Sequence, residues 1–181
     1  NYHGTAVAGL LCGDYIDFRR YGVAPDSTIV VAKTMNTVGR GSLQAIANGI
    51  NYCVEQGVDV INCSVGSQDD ADSLQKAVRN AVAKGIPVVC AAGNEGNGDI
   101  DGSVREVSYP AGYDDAICVG AMDKNYKITY FSNSNEFIDF IAPGTEIVTA
   151  YPENKYAIVE GTSFACPLIS GTLLLLKQKF I

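Results

Sequence analysis

Residues 58–92, VDVINCSVGSQDDADSLQKAVRNAVAKGIPVVCAA, decide the fold. They change hydrophobic period twice. Residues 58–65 (VDVINCSV) are rich in β-branched and apolar side chains, as a strand buried on both faces requires. Over 73–84 the apolar residues Leu74, Val78, Ala81 and Val82 recur at helical spacing, and Gly85 follows as a stop signal. Residues 86–92 (IPVVCAA) then return to a short continuous apolar run, a further strand. Strand, helix and strand in succession form the unit of a parallel sheet, because parallel neighbours need a crossover of about a dozen residues.

The unit repeats outward from this stretch. On the amino side, residues 27–35 (STIVVAKTM) predict a buried strand. A Gly-rich link through Gly39, Arg40 and Gly41 leads to a helix over 42–55, with Leu43, Ile46, Ile50 and Val54 at helical spacing and Gly57 ending it. Residues 6–11 (AVAGLL) predict a short helix of small side chains, with His3 at its start. On the carboxyl side, Gly93-Asn94-Glu95-Gly96-Asn97-Gly98 opens a polar loop reaching to about residue 108. Strands follow near 116–122 and 137–142, and 145–151 with 155–160 reads as a hairpin-like pair. The whole predicts an α/β domain over 1–181: a three-layer, doubly wound, mostly parallel sheet with helices on both faces. No internal repeat or domain boundary interrupts it.

The chain has 181 residues, 47% of them hydrophobic, with a mean hydropathy of +0.09, which suits one well-buried core. A net charge of -7 and a pI near 4.6, with no basic run longer than Arg19-Arg20, argue against nucleic acid or an anionic membrane as partner. No apolar run approaches the roughly 20 residues of a membrane span. The first residue is Asn1, so an upstream segment belongs to the expectation, and the last predicted helix is still apolar at Ile181, with no glycine cap to end it. Six cysteines, at 12, 53, 63, 90, 118 and 166, lie in apolar segments with no CxxC. They read as buried free thiols, favouring a reducing cytoplasm over secretion. Zinc is disfavoured by the single histidine and the cysteine spacing.

Chemistry gathers at Gly161-Thr162-Ser163-Phe164-Ala165-Cys166-Pro167, followed by the largely apolar run 168–176. Gly161 permits a sharp bend, Thr162 or Ser163 can cap, and Pro167 suits a helix's first turn, where its missing N–H costs nothing. The Ser163 hydroxyl then stands at a helix N-terminus, whose unpaired N–H groups favour a developing oxyanion. Ser163 as a plain N-cap, His3 as a structural histidine and Asn94 as a turn residue are the competing readings of each motif taken alone. Residue order narrows the choice. The Gly161-x-Ser163-x-Ala165 pattern is similar to the nucleophile elbow of α/β-hydrolases, which place their histidine after the serine, where this chain has none. A chymotrypsin-like order belongs to β-barrels, whereas this chain alternates helix and strand.

Three blocks, His3-Gly4-Thr5-Ala6-Val7-Ala8-Gly9, Ala91-Ala92-Gly93-Asn94-Glu95-Gly96 and Gly161 to Pro167, resemble the histidine, oxyanion-asparagine and serine blocks of the subtilisin family, in that family's order. Gly22-Val23-Ala24-Pro25, Asn48-Gly49-Ile50-Asn51-Tyr52, Ser108-Tyr109-Pro110-Ala111 and Ile141-Ala142-Pro143-Gly144 resemble further signatures. The resemblance spans the chain and is strongest to the intracellular bacterial branch. It implies a serine endopeptidase in which Ser163 attacks the scissile carbonyl, His3 acts as general base and acid, and Asn94 with the Ser163 N–H holds the oxyanion. It implies extended polypeptide substrates, pairing with Gly39, Arg40 and Gly41 and with Ser64, Val65 and Gly66. Ala91, Ala92 and Gly93 would line a first side-chain pocket with Ser108 near its floor, open to apolar or large residues with low stringency.

Two departures qualify the picture. The family's catalytic Asp precedes its histidine by several tens of residues, and here only two residues precede His3. Asp14, Asp17, Asp26 and Asp59 do not match it, so the expectation is a catalytic domain lacking its first strands, with that Asp, and its last helices, and inactive as residues 1–181 alone. The rival expectation is a catalytically silent, subtilisin-shaped binding or regulatory module. Leu168 replaces a residue that is often histidine in the family. No metal site is assigned, and no cofactor is certain, calcium being the one candidate. In the 14–21 loop, where many subtilisins hold a calcium, Ile16 stands where an oxygen ligand is expected and Arg19-Arg20 add positive charge, so that site is expected to be lost. A weaker site on backbone carbonyls near Ala111, Tyr113 and Ala116 would leave no trace in the side chains.

Overall fold

The computed structural model describes residues 2–16, 19–98 and 106–180. Helix α1 (His3–Cys12) leads into a two-stranded antiparallel hairpin, β1 (Tyr15–Ile16) and β2 (Arg19–Arg20). Helix α2 (Leu43–Glu55), β3 (Ile61–Cys63), α3 (Asp72–Ala83) and β4 (Val88–Ala91) then realise the strand-helix alternation, followed by β5 (Ile117–Met122) and β6 (Ile138–Pro143). A second hairpin, β7 (Ile147–Tyr151) with β8 (Lys155–Val159), delivers the chain to the long helix α4 (Thr162–Phe180).

The central sheet is parallel, in the order β3-β4-β5-β6. Its period of two sorts the core into two faces. Cys63, Cys90 and Cys118 stand opposite one another in register and pack with Ile46, Ile50, Leu74 and Val78 of α2 and α3. On the other face Val89, Val119 and Ala121 meet Ala165 and Cys166 of α4. The result is the expected three layers. All six cysteines are free thiols; five are buried as expected, whereas Cys12, at the end of α1, is only partly so. No helix among the described residues is long and apolar enough to cross a membrane.

Local signals explain the boundaries. Ser42 caps α2, its Oγ accepting from Ala45 N–H at 3.1 Å. Gly57 and Gly85, at φ +67 and +75, end the paths of α2 and α3 in the left-handed region. Helix α1 lies so close to β7 that a Cβ on Gly9 would fall 2.8 Å from Thr149 Oγ1 and 2.9 Å from Ala150 Cβ. Thr149 uses that proximity, donating to the Ala6 carbonyl at 2.7 Å.

Two further expectations change. Residues 27–35 make no strand: Ile29 and Val31 are 37% and 74% exposed, and a cavity of about 580 Å³ separates this segment from β3. A β-branched run is only half of a strand; the other half is a neighbour to hydrogen-bond, and among the described residues no strand pairs with this run. Pro167 lies inside α4, in its second turn rather than its first. That displacement has a consequence at the site. Residues 17 and 18 of the calcium-loop reading, and 99–105 of the polar loop, lie outside the described residues.

Candidate active site

The carboxyl ends of β3 and β4 and the amino end of α4 converge. Gly161, at φ +138 and donating its N–H to the Gly144 carbonyl at 2.8 Å, turns the chain from β8 into α4. Ser163 follows in the first turn, half-buried and reachable. The N–H groups on either side of it are occupied, Thr162 by Asn94 Oδ1 at 2.8 Å and Phe164 by the Gly161 carbonyl at 3.1 Å. The Ser163 N–H belongs to the set that has no acceptor within the helix. Its Oγ donates to the Ser64 carbonyl at 3.2 Å.

Asn94 is held by the residue before the serine. Its Oδ1 accepts from both the N–H and the Oγ1 of Thr162, at 2.8 and 3.0 Å, and Thr162 Oγ1 in turn accepts from Gly93 N–H at 3.2 Å. With its oxygen engaged twice, the amide presents its Nδ2 hydrogens as donors, as an oxyanion requires. Thr162 is fully buried. Sequence reading treated it as one of two capping options and missed this role; its position directly before Ser163 is the only signal.

His3 opens α1, and its ring packs on Phe164, centroids 5.4 Å apart and tilted by 48°. Phe164 also joins Ala6 and Leu10 in the contact between α1 and α4, so the helix carrying the serine and the helix carrying the histidine share one apolar seam. Burial pushes the His3 pKa below the ordinary 6.5, favouring the neutral imidazole that can accept a proton. His3, Ser64 and Val65 line the cavity beside β3.

Residues expected to form the side-chain pocket lie close together around Gly93. Gly66 abuts Tyr109, where a Cβ would approach the carbonyl to 3.0 Å, and Ser67 pairs with Tyr109 through N–H to carbonyl bonds of 3.0 and 2.7 Å. Ser108 is buried and donates to Glu95 Oε2 at 3.2 Å. Asn133 Nδ2 donates to the Ala92 carbonyl at 2.9 Å and to Glu95 Oε2 at 3.0 Å, while its Oδ1 accepts from Glu95 N–H at 2.8 Å. These groups crowd Gly93: a Cβ there would stand 2.3 Å from Asn133 Nδ2 and 2.4 Å from Glu95 Oε2. Glu95 and Asn133 were not singled out from sequence, Asn133 because nothing local marks a residue 38 positions away as a partner of the loop. Gly39, Arg40 and Gly41 form their own exposed turn, in which Asn36 engages the Arg40 N–H at 2.9 Å and carbonyl at 2.8 Å. None of the turn's described hydrogen bonds reaches the other site residues.

Among the described residues no group of three or more His, Cys, Asp or Glu is placed to hold a metal ion. Of the carbonyls considered for calcium, that of Tyr113 already accepts from Ala116 N–H at 2.9 Å.

Sheet topology and homologues define a subtilisin-like serine protease fold. The chain belongs to the subtilase family, whose model matches residues 1–181. It is 44% identical over 179 residues to the major intracellular serine protease of Bacillus subtilis (strain 168), covering 98% of this chain and 56% of the relative. It is 43% identical to an intracellular serine protease of Paenibacillus polymyxa, covering 98% of this chain and 54% of the relative. A cold adapted subtilisin-like serine proteinase superposes with a TM-score of 0.85 at 30% identity, over 98% of this chain and 62% of that one. The resemblance to the intracellular branch read from the motifs agrees with these relatives. The chain spans about half the length of the curated relatives it matches.

Proposed function

We propose that the protein carrying this chain is an intracellular serine endopeptidase in which Ser163 is the nucleophile. The observation that carries the reading is the Thr162 lock: one residue fixes the Asn94 amide with its donors presented and sits directly before a serine at a helix N-terminus. The Ser163 hydroxyl attacks the scissile carbonyl while neutral His3 takes its proton. The Asn94 amide and the Ser163 N–H receive the oxyanion, and His3 returns the proton to the leaving amine. Water then hydrolyses the acyl-enzyme by the same proton path. Extended polypeptide is the substrate class, read by backbone beside residues 39–41 and 64–66 and by a pocket at Ala91, Ala92, Gly93 and Ser108, where the Glu95 carboxylate adds negative charge. The orienting carboxylate for His3 comes, by family pattern, from chain ahead of it. The cavity between residues 27–34 and β3, which His3 also lines, supports this reading, having room for a strand that bears the carboxylate. Location in the cytoplasm follows from the free thiols and the intracellular relatives.

The test is fluorophosphonate labelling of the intact protein. An adduct on Ser163 that disappears in Ser163→Ala supports the protease. No adduct under any condition supports the catalytically silent module instead.

A further inference from the structure

Pro167 sits four residues after Ser163 in α4. In a regular helix the N–H at that position would donate to the Ser163 carbonyl; proline has none, so the carbonyl of the reactive residue is left without its helical donor. The structure supplies another. Ser64, at the end of β3 and 6% exposed, donates its Oγ to that carbonyl at 2.8 Å. The Ser64 hydroxyl is itself oriented, accepting from Asn62 Nδ2 at 2.9 Å. Asn62 Oδ1 accepts from Ser170 Oγ at 2.9 Å and Cys166 Sγ at 3.3 Å. Ser163, Cys166 and Ser170 fall at i, i+3 and i+7, one stripe of α4, so two side chains of the sheet grip one face of the helix. The grip closes on itself, because Ser163 Oγ donates back to the Ser64 carbonyl at 3.2 Å.

We propose that Ser64, held by Asn62, is a positioning residue for the nucleophile: its hydroxyl replaces the helical hydrogen bond that Pro167 removes, and its carbonyl is the resting acceptor of the Ser163 hydroxyl. The arrangement ties the first turn of α4 to the sheet, fixing the Ser163 backbone whose N–H faces the oxyanion. A helix-internal bond would tie that turn only to the next one. This inference rests on the reading of Ser163 as nucleophile and adds the device that holds it.

A double-mutant cycle in the intact protein tests it, using Ser64→Ala, Pro167→Ala and the pair, with fluorophosphonate labelling rates and steady-state peptide hydrolysis. Ser64→Ala lowers the labelling rate and kcat about tenfold and leaves KM within about twofold, as expected for loss of one hydrogen bond that acts on geometry rather than on substrate contact. In the Pro167→Ala background residue 167 regains an N–H for the Ser163 carbonyl, and the same Ser64→Ala change costs less than about threefold. Should Ser64→Ala not fold, Ser64→Cys takes its place with the same readout, its thiol being a weaker donor of similar shape. An equal loss in both backgrounds, or none in either, overturns the positioning role while leaving Ser163 as nucleophile. Absence of any Ser163 adduct in the parent protein overturns both.

Discussion

Thr162→Val removes one hydroxyl and keeps the side chain's shape, and its consequences for stability and for rate can be separated. The hydroxyl makes two bonds, to Asn94 Oδ1 at 3.0 Å and from Gly93 N–H at 3.2 Å, in a fully buried position. Valine offers neither. The Gly93 N–H is orphaned, which costs about 1–3 kcal/mol of folding stability. Asn94 retains its 2.8 Å bond from Thr162 N–H, so its amide is hinged on one anchor rather than clamped by two. Complete loss of the donor, in Asn94→Ala, is expected on the proposed mechanism to cost about 10²–10³ in kcat, the usual penalty for removing one oxyanion-hole donor. A hinged amide loses only part of that, about tenfold in kcat, or about 1.4 kcal/mol. The assay is kcat on a peptide amide, with denaturant midpoints alongside, for both single variants and the pair in the intact protein. The rate effect of Thr162→Val vanishes when Asn94 is already alanine, whereas the stability loss persists because Gly93 is orphaned in either case. A tenfold rate loss that survives in the Asn94→Ala background would refute the claim that Thr162 acts through the amide.

Gly9→Ala pushes a Cβ to within 2.8 Å of Thr149 Oγ1 and 2.9 Å of Ala150 Cβ, so chemical denaturation should show about 1–3 kcal/mol of destabilisation; an unchanged midpoint would mean that α1 lifts from β7 without penalty. Because burial lowers the His3 pKa, the ring in residues 1–181 should titrate below 6.5 by NMR, and at a lower pH than in the intact protein, where the proposed orienting carboxylate would raise it. Between the folded and unfolded pKa values the unfolded chain binds more protons, so this histidine's contribution is complete above pH 6.5 and declines as the pH falls through it; a stability rising on acidification there contradicts the assignment. Residues 1–181 alone should fail to turn over a peptide ester, and turnover near the rate of the intact protein would show that no outside carboxylate is needed. Glu95→Gln removes the charge beside Ser108 and should lower the relative kcat/KM for a basic first side chain several-fold, about 1 kcal/mol for a partly exposed pair; an unchanged preference places the carboxylate's influence outside the pocket.

What was legible in the sequence divides by the range of the interaction that determines it. The periods over 58–92 and the glycines after each helix are local, and they gave the alternation and the parallel sheet; the apolar surroundings of the cysteines likewise foretold burial for all but Cys12. The 27–35 run is local too, yet pairing is a property of two strands, and composition cannot show that no described strand lies in register with this one. Pro167 fails for a related reason. Proline's usual place in a first turn reflects the cost of its missing N–H, and that cost falls when another group serves the stranded carbonyl. Here the group is Ser64, 99 residues away. Sequence resemblance had already named Ser64, for its backbone beside the substrate; that its side chain matters follows only once β3 and α4 are laid together. The same holds for Thr162, which looks like a cap and works as a bridge to Asn94. Motifs therefore list the candidate reacting groups, while the residues that hold them in place are set by contacts between segments far apart in the chain. On the proposed mechanism, changes at Asn62, Ser64 and Thr162 should therefore disturb Ser163 and Asn94 more than any single-motif reading implies.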